Sequence, residues 1–262
     1  MANWICEYIP DDIETYVEVF GGAFWVYVKG DINENPNLKE VVYNDKNIFM
    51  ANLFQCMRIP DDFYEVLSEV ESQNESLFYM CQDNLNVIAK GNCGFELGDC
   101  NIASQYAYVA TQVFSGSKIL ESKFIDLKGK YGSKYDAFIK RLSKPSIQKR
   151  LSKITKVENL NYDEVIKRYD SPTTFFYVDP PYWKTENYYS NHDFDSNDHE
   201  LLCSMLKQIK GKFALSYYDF PLLSEWLPKD EYVWRAKDFT KAAGATKGKK
   251  QNKGTELLIM NY

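Results

Sequence analysis

The ten residues Thr173-Thr-Phe-Phe-Tyr-Val-Asp-Pro-Pro-Tyr182 constrain this chain more than any other segment. Residues 173–178 form a short, continuous run of β-favouring side chains, the pattern of a strand buried on both faces in a parallel sheet. The run stops at Asp179-Pro180-Pro181-Tyr182. Two prolines cannot continue a central strand, because each lacks a ladder donor. A carboxylate, a stiff backbone with free carbonyls and an aromatic ring are thereby set at the carboxyl end of a strand. Open α/β sheets bind their ligands outside those ends. The plainer reading of the four residues is an Asp-Pro turn after a core strand.

The chain has 262 residues, enough for one large α/β domain with a smaller insertion. No apolar run reaches membrane-spanning length, and the first ten residues carry acids and an early proline rather than a basic stretch followed by an apolar one. The six cysteines (Cys6, Cys56, Cys81, Cys93, Cys100, Cys203) are scattered without a Cys-x-x-Cys, as reduced thiols of a cytoplasmic protein are. A net charge of −6 argues at first against a nucleic-acid partner, but its distribution does not. Residues 1–117 hold 5 basic and 18 acidic residues, residues 118–156 hold 12 and 3, and residues 157–262 hold 14 and 16. A local excess of +9 inside an acidic chain is what a phosphate-contacting face requires. A solvated lysine-rich helical face is the competing explanation. A second basic cluster (Lys237, Lys241, Lys247, Lys249, Lys250, Lys253) is interleaved with Gly244, Gly248 and Gly254, as in a loop.

The pattern predicts a short helix over 3–9, a strand over 15–20, a helix over 23–29, a strand over 40–44 and a helix over 48–57. Strand, glycine turn, helix and strand make one βαβ unit. From about 60 to 155 the pattern turns helical and irregular. Strands resume at 173–178, 213–218, 231–235 and 256–261, with helices between them, for instance over 198–208. The sheet is interrupted by an insertion. Gly21-Gly22 lets the backbone approach a ligand and swing into a helix. Asp45 follows at the end of the next strand, where a carboxylate can accept both hydroxyls of a ribose. Asp45 or Asn44 could instead cap the following helix.

Asp-Pro-Pro-Tyr after an aromatic strand resembles motif IV of the S-adenosylmethionine-dependent amino methyltransferases. It is most similar to the Dam-like (alpha-class, D12) DNA adenine-N6 methyltransferases. Phe20-Gly21-Gly22-Ala23 resembles their motif I. Val157–Ile166 looks like the strand before motif IV, Tyr188-Tyr189 and Leu215–Asp219 like later motifs lining the target pocket, and Glu256–Tyr262 like the closing strand. The resemblance implies an α/β, Rossmann-like methyltransferase sheet with an inserted, mainly helical target-recognition domain. Residues 1–59 and 151–262 would form the S-adenosyl-L-methionine-binding catalytic domain, and 60–150 the target-recognition domain. Asp179, Pro180, Pro181 and Tyr182 are then the catalytic residues. Asp179 and the Pro180 carbonyl accept from the target amine, and Tyr182 stacks on the base. Glu18, Phe20, Gly21, Gly22, Ala23, Asp45, Asn161, Tyr162 and Asp179 are the expected cofactor residues. Lys118, Lys123, Lys128, Lys130, Lys134, Lys140, Arg141, Lys149, Arg150, Lys247, Lys249 and Lys250 are the expected contacts to double-stranded DNA. The implied reaction needs no metal and no covalent intermediate, and a flipped-out base in a specific short sequence is its target.

The chain opens at Met1-Ala-Asn-Trp-Ile without the glycine- and lysine-containing motif X that the family carries ahead of the first strand. Two other readings stay open. One, from the missing motif, is a methyltransferase-like DNA-binding protein with weak or lost cofactor binding; the other, because the pocket chemistry is nearly the same, is an enzyme acting on cytosine N4 or on adenine in RNA. A dinucleotide oxidoreductase fits poorly, because Phe-Gly-Gly-Ala is not Gly-x-Gly-x-x-Gly. Gln105, Gln112, Arg141, Gln148 and Arg150 are chemically suited to read base edges. His192 and His199 read as polar surface or helix residues rather than catalysts. The oligomeric state, the recognition sequence and the biological role (restriction-modification, phage modification or regulation) are not legible.

Overall fold

The computed structural model describes residues 1–71, 73–91, 93–113, 118–125, 133–184, 194–240 and 253–262. Seven strands are found there: β1 Thr15–Glu18, β2 Glu40–Asn44, β3 Lys156–Glu158, β4 Thr174–Val178, β5 Lys212–Tyr217, β6 Val233–Thr240 and β7 Lys253–Met260. The α-helices are α1 Ala2–Cys6, α2 Trp25–Lys29, α3 Ile48–Met57, α4 Pro60–Ser68, α5 Glu75–Ala89, α6 Cys100–Thr111, α7 Lys134–Leu142, α8 Pro145–Leu151, α9 Tyr162–Tyr169, α10 Ser196–Leu206 and α11 Leu223–Trp226. The fold is mixed α/β and Rossmann-like, as the sequence implies. The described residues fall into two compact units, one of 1–44, 160–184 and 194–262, the other of 45–159.

In the first unit six strands stand in the order β2-β1-β4-β5-β7-β6. β1 pairs in parallel with β2 and with β4, and β4 with β5. β7 runs antiparallel between β5 and β6. Every residue of β4 is buried, so its apolar run is covered on both faces, as a central parallel strand must be. Alternation sorts the side chains. Tyr16 lies opposite Phe175 in the register and stacks on it with ring centroids 5.8 Å apart. Val17 lies opposite Phe176, and both enter the main core with Val178, Leu202, Leu206, Phe213, Leu215 and Ile259.

Element ends depart from the sequence reading for local reasons. α2 starts at Trp25 rather than residue 23 because Phe24 is left-handed (φ 55°) and serves as its N-cap. β6 starts at Val233 rather than 231 because the amides of Glu231 and Tyr232 donate to the Pro228 carbonyl in a turn. α10 begins at Ser196, two residues earlier than expected, because Asp195 accepts from the amides of Asn197 and Asp198.

The second unit is mainly helical. α3, α5 and α6 are capped by the side chains of Asn47, Asn74 and Asp99, each satisfying amides that a helix start leaves orphaned. Asn47, and neither Asp45 nor Asn44, caps α3. Tyr106 and Phe49 stack at 5.5 Å, and the Tyr135 hydroxyl donates to the Leu67 carbonyl at 3.0 Å. All six cysteines stand outside any disulfide. Among the described residues no helix is long and apolar enough to cross a membrane.

Candidate active site at the carboxyl ends of β1 and β4

From β1 the chain crosses to β2 on one side, while β4 lies on the other side of β1. The crossover direction thus reverses between β1 and β4, and loops leaving the two strands open a crevice at their carboxyl ends. The two segments that the sequence singles out leave these two strand ends. Val19-Phe20-Gly21-Gly22 follows β1, and Asp179-Pro180-Pro181-Tyr182 follows β4. Val19 N still donates to Tyr177 O at 3.0 Å, so the two exits are tied side by side.

The glycine loop is held from below. Gly21 N donates to Asn44 O at 2.7 Å, and the Tyr43 hydroxyl donates to Gly22 O at 2.9 Å. The buried Asn44 amide donates to Val19 O at 2.8 Å, and its Oδ1 accepts from Leu160 N at 2.9 Å. Gly22 sits at φ +46°, and a Cβ there would meet nothing within 4 Å. That combination leaves open space against exposed backbone, which a ligand can fill. Phe20 is half-buried; its ring stacks on Tyr162 at 5.9 Å and meets Phe194 edge-on at 5.7 Å. The Tyr162 hydroxyl donates to Asp198 Oδ1 at 2.8 Å.

Beyond β4, Pro180 is buried, whereas the Asp179 side chain is open to solvent. Trp183 stacks on Phe220 with centroids 4.9 Å apart and planes 3° from parallel, anchoring the segment just past Tyr182. The half-buried Tyr182 ring lies 4.2 Å from that of Tyr218 and 5.7 Å from that of Tyr217. Its hydroxyl donates to Glu256 Oε1 at 2.6 Å. Desolvation by the surrounding protein, and then the charge of Glu256, push the Asp179 carboxyl up to about 7, against the opposing hydrogen bond from Tyr182.

Glu18 ends β1 facing inward and only 2% exposed. Its Oε1 accepts from the Tyr16 hydroxyl (2.6 Å) and the Tyr27 amide (3.1 Å). Burial raises its carboxyl to about 8, the two hydrogen bonds oppose this, and the charge of Asp179 adds to it. A folded-state value above the usual 4.5 means that the native protein holds a proton that the unfolded chain releases. Stability from this group is full at low pH and declines from about pH 5 to 8, by at most about 1.4 kcal/mol per pH unit. Glu18→Gln removes that slope. Urea midpoints taken between pH 5.5 and 8.5 should fall less steeply for the variant than for the wild type; equal slopes would show that Glu18 does not titrate in this range.

The remaining expected residues are placed as follows. Ala23 is exposed beside Gly22. Asn161 is the N-cap of α9, and its amide donates to Glu164 Oε2 at 3.1 Å. Asp45 begins the second unit and accepts from Asn47 N at 2.8 Å through Oδ1. Lys118, Lys123, Lys134, Lys140, Arg141 and Lys149 are exposed and Arg150 is half-buried. Lys118 lies 3.9 Å from Glu121, and Lys134 donates to Val113 O at 3.2 Å. Lys128, Lys130, Tyr188, Tyr189, His192, Lys247, Lys249 and Lys250 lie outside the described residues.

His199 lies on a helix, one of the two placements expected for it, and is only 1% exposed: its Nδ1 is hydrogen-bonded to the Tyr217 hydroxyl, and Trp183 and Phe194 meet it edge-on. One expectation needs correction. Gln112 is fully buried and presents no polar edge to a base, unlike the half-exposed Gln105 and Gln148. Glu256 and Asn44 escaped the sequence reading as site residues, whereas Ser216 fell within Leu215–Asp219, which the resemblance set along the target pocket. Only the position of Glu256 at the head of an otherwise apolar strand hinted at it. Among the described residues no group of three or more His, Cys, Asp or Glu is arranged to hold a metal ion.

No curated protein matches the chain. A family model does: that of the D12 class N6 adenine-specific DNA methyltransferases aligns with residues 1–240, from α1 through the end of β6. With the glycine loop and the Asp-Pro-Pro-Tyr turn on adjoining strand ends inside that span, the chain belongs to the D12 class N6 adenine-specific DNA methyltransferase family and is an adenine-specific DNA methyltransferase.

Proposed function

We propose that the protein uses S-adenosyl-L-methionine to methylate N6 of an adenine swung out of double-stranded DNA, within one short recognition sequence. The observation that carries this reading is the side-by-side exit of Phe20-Gly21-Gly22 and Asp179-Pro180-Pro181-Tyr182 at the switch point of the sheet.

The site's chemistry fits the cofactor. S-adenosylmethionine bears a sulfonium and an ammonium charge. Glu18 and Asp179 both hold their protons unusually well (about 8 and 7), each raised by burial, and a bound cation relieves both. The open side of Gly22 and the exposed Ala23 leave room for the methionyl part. Phe20, with Tyr162 stacked on it, flanks the loop with aromatic surface, and Asn161 adjoins Tyr162. Asp45, one residue past β2, accepts the ribose hydroxyls. When bound, the cofactor supplies an activated methyl group.

The chain's own residues handle the amine. An exocyclic amine conjugated to a purine is a weak nucleophile. Asp179 and the Pro180 carbonyl accept its protons and take up the positive charge that develops on nitrogen, a preorganised electrostatic role. Tyr182 presents its ring to the flipped base. Residues 1–59 and 151–262 serve catalysis, and 60–150 serve target recognition. The exposed Lys118, Lys123, Lys134, Lys140, Arg141 and Lys149 engage phosphates. DNA and the methyl donor meet in the cytoplasm, and modification within a restriction system is the role that fits.

Expression in a bacterial host lacking adenine methylation, followed by mapping of N6-methyladenine in its DNA, tests this reading. Modification confined to one short sequence is expected. Modification at random adenines would refute sequence specificity, and unmodified DNA with soluble protein present would refute the activity.

A further inference from the structure

We propose that Glu256, on β7, is a positioning residue for methyl transfer: it fixes the Tyr182 ring through the tyrosine hydroxyl and acts through it on Asp179. The inference rests on the functional reading above and extends it to a residue outside the two recognised loops.

Glu256 is 5% exposed on a strand whose next four residues are apolar and buried. A carboxylate in the interior is unfavourable unless it is paired or hydrogen-bonded. Among the described residues no lysine or arginine pairs with it. Two hydroxyls serve it instead, and both reach the same oxygen. Tyr182 donates to Oε1 at 2.6 Å, and Ser216, on the neighbouring β5, donates to Oε1 at 2.5 Å. Bonds to an ionised acceptor are about twice as strong as neutral ones. A tyrosine on a turn between two prolines and a tryptophan is thus held at both ends. Trp183 anchors its backbone by stacking on Phe220, and Glu256 anchors its hydroxyl. A ring meant to receive a flipped base gains from that immobility, because a misplaced platform misplaces the amine above Asp179.

Among the described residues the groups that interact electrostatically with Asp179 are Glu18 from β1, Tyr177 from β4, Tyr182 from the turn and Glu256 from β7. Ser216 from β5 adds a hydroxyl bonded to Tyr177 and Glu256. All are acids or hydroxyls. Glu256 and Tyr182 act on Asp179 in opposite senses: the charge favours its protonated form, and the hydroxyl favours the carboxylate.

The opposition gives a test that a merely structural role does not pass. Profiles of kcat/KM against pH are measured for methyl transfer to DNA by wild type, Glu256→Gln, Glu256→Asp and Tyr182→Phe. Glu256→Gln keeps an acceptor for Tyr182 but removes the charge, so the acidic limb moves to lower pH by about half a unit or more. Tyr182→Phe keeps the ring but removes the hydroxyl, so the limb moves to higher pH. Glu256→Asp keeps the charge but shortens the reach to Tyr182, so the limb stays while kcat falls. Should Glu256→Gln fold poorly, Glu256→Asp decides, through a lower kcat at an unmoved limb. Glu256→Gln and Tyr182→Phe profiles that superpose on wild type after scaling overturn the inference while leaving the methyltransferase reading intact. A wild-type enzyme that transfers no methyl to adenine overturns that reading, and this inference with it.

Discussion

Asp179→Ala lowers methyl transfer to DNA by about a thousandfold, the scale on which removing one preorganised polar group from an active site acts. The amine then loses its charged acceptor, and the Pro180 carbonyl alone cannot offset the charge developing on nitrogen. Folding is expected to survive the change. The Asp179 side chain is open to solvent, and its charge is resisted by Glu256 and Glu18. Removing it relieves repulsion, so the melting temperature should hold or rise, as at active sites where function opposes stability. The check is a single-turnover rate beside a thermal melt. A rate within tenfold of wild type would show that Asp179 does not touch the reacting amine.

Gly21→Ala destabilises the first unit by about 1–3 kcal/mol, the cost of forcing atoms into a packed site. A Cβ at Gly21 would stand 2.4 Å from Tyr43 Cε2 and 2.8 Å from Asn44 O. Neither neighbour can retreat. Tyr43 is fully buried with its hydroxyl bonded to Gly22 O, and Asn44 O accepts the Gly21 amide. The loop must therefore lift away from β2, and cofactor affinity should fall with it. Gly22→Ala makes the contrast. It has space but sits at φ +46°, so it costs about 1–2 kcal/mol in backbone strain with no clash. Urea unfolding and calorimetry with S-adenosyl-L-methionine separate the two. Equal affinity of Gly21→Ala and wild type for the cofactor would remove the glycine loop from its site.

The parts of this molecule written in local chemistry were readable from the chain. A continuous β-favouring run closed by two prolines reads as a buried strand that stops before Asp179, and β4 ends at Val178. α3 was readable to the residue, because its apolar run is long and bounded. Strand patterning stops near residue 60, and the second unit, 45–159 among the described residues, is mainly helical. What escaped depends on distance in sequence. Glu256 reaches Tyr182 across 74 positions, and Asn44 reaches Leu160 across 116; neither pairing leaves a local pattern. His199 was readable as a helix residue, but not its burial, which comes from the packing of Trp183 and Phe194 around it. Phe24 could not be foreseen as the N-cap of α2, since a bulky residue at positive φ runs against intrinsic preference and is held there by Tyr27 and Tyr43 at 4.8 and 5.1 Å. The strain falls directly beside the glycine loop, where a fixed backbone is needed most.

The most direct experiment is transfer of labelled methyl from S-adenosyl-L-methionine to mixed duplex DNA, with digestion to nucleosides, for wild type and Asp179→Ala in parallel. Label in N6-methyladenosine's deoxy form with wild type, and none with the variant, is the expected result. Label in another nucleoside, or equal label from both proteins, would contradict the assignment of Asp179-Pro180-Pro181-Tyr182 as the adenine-methylating site.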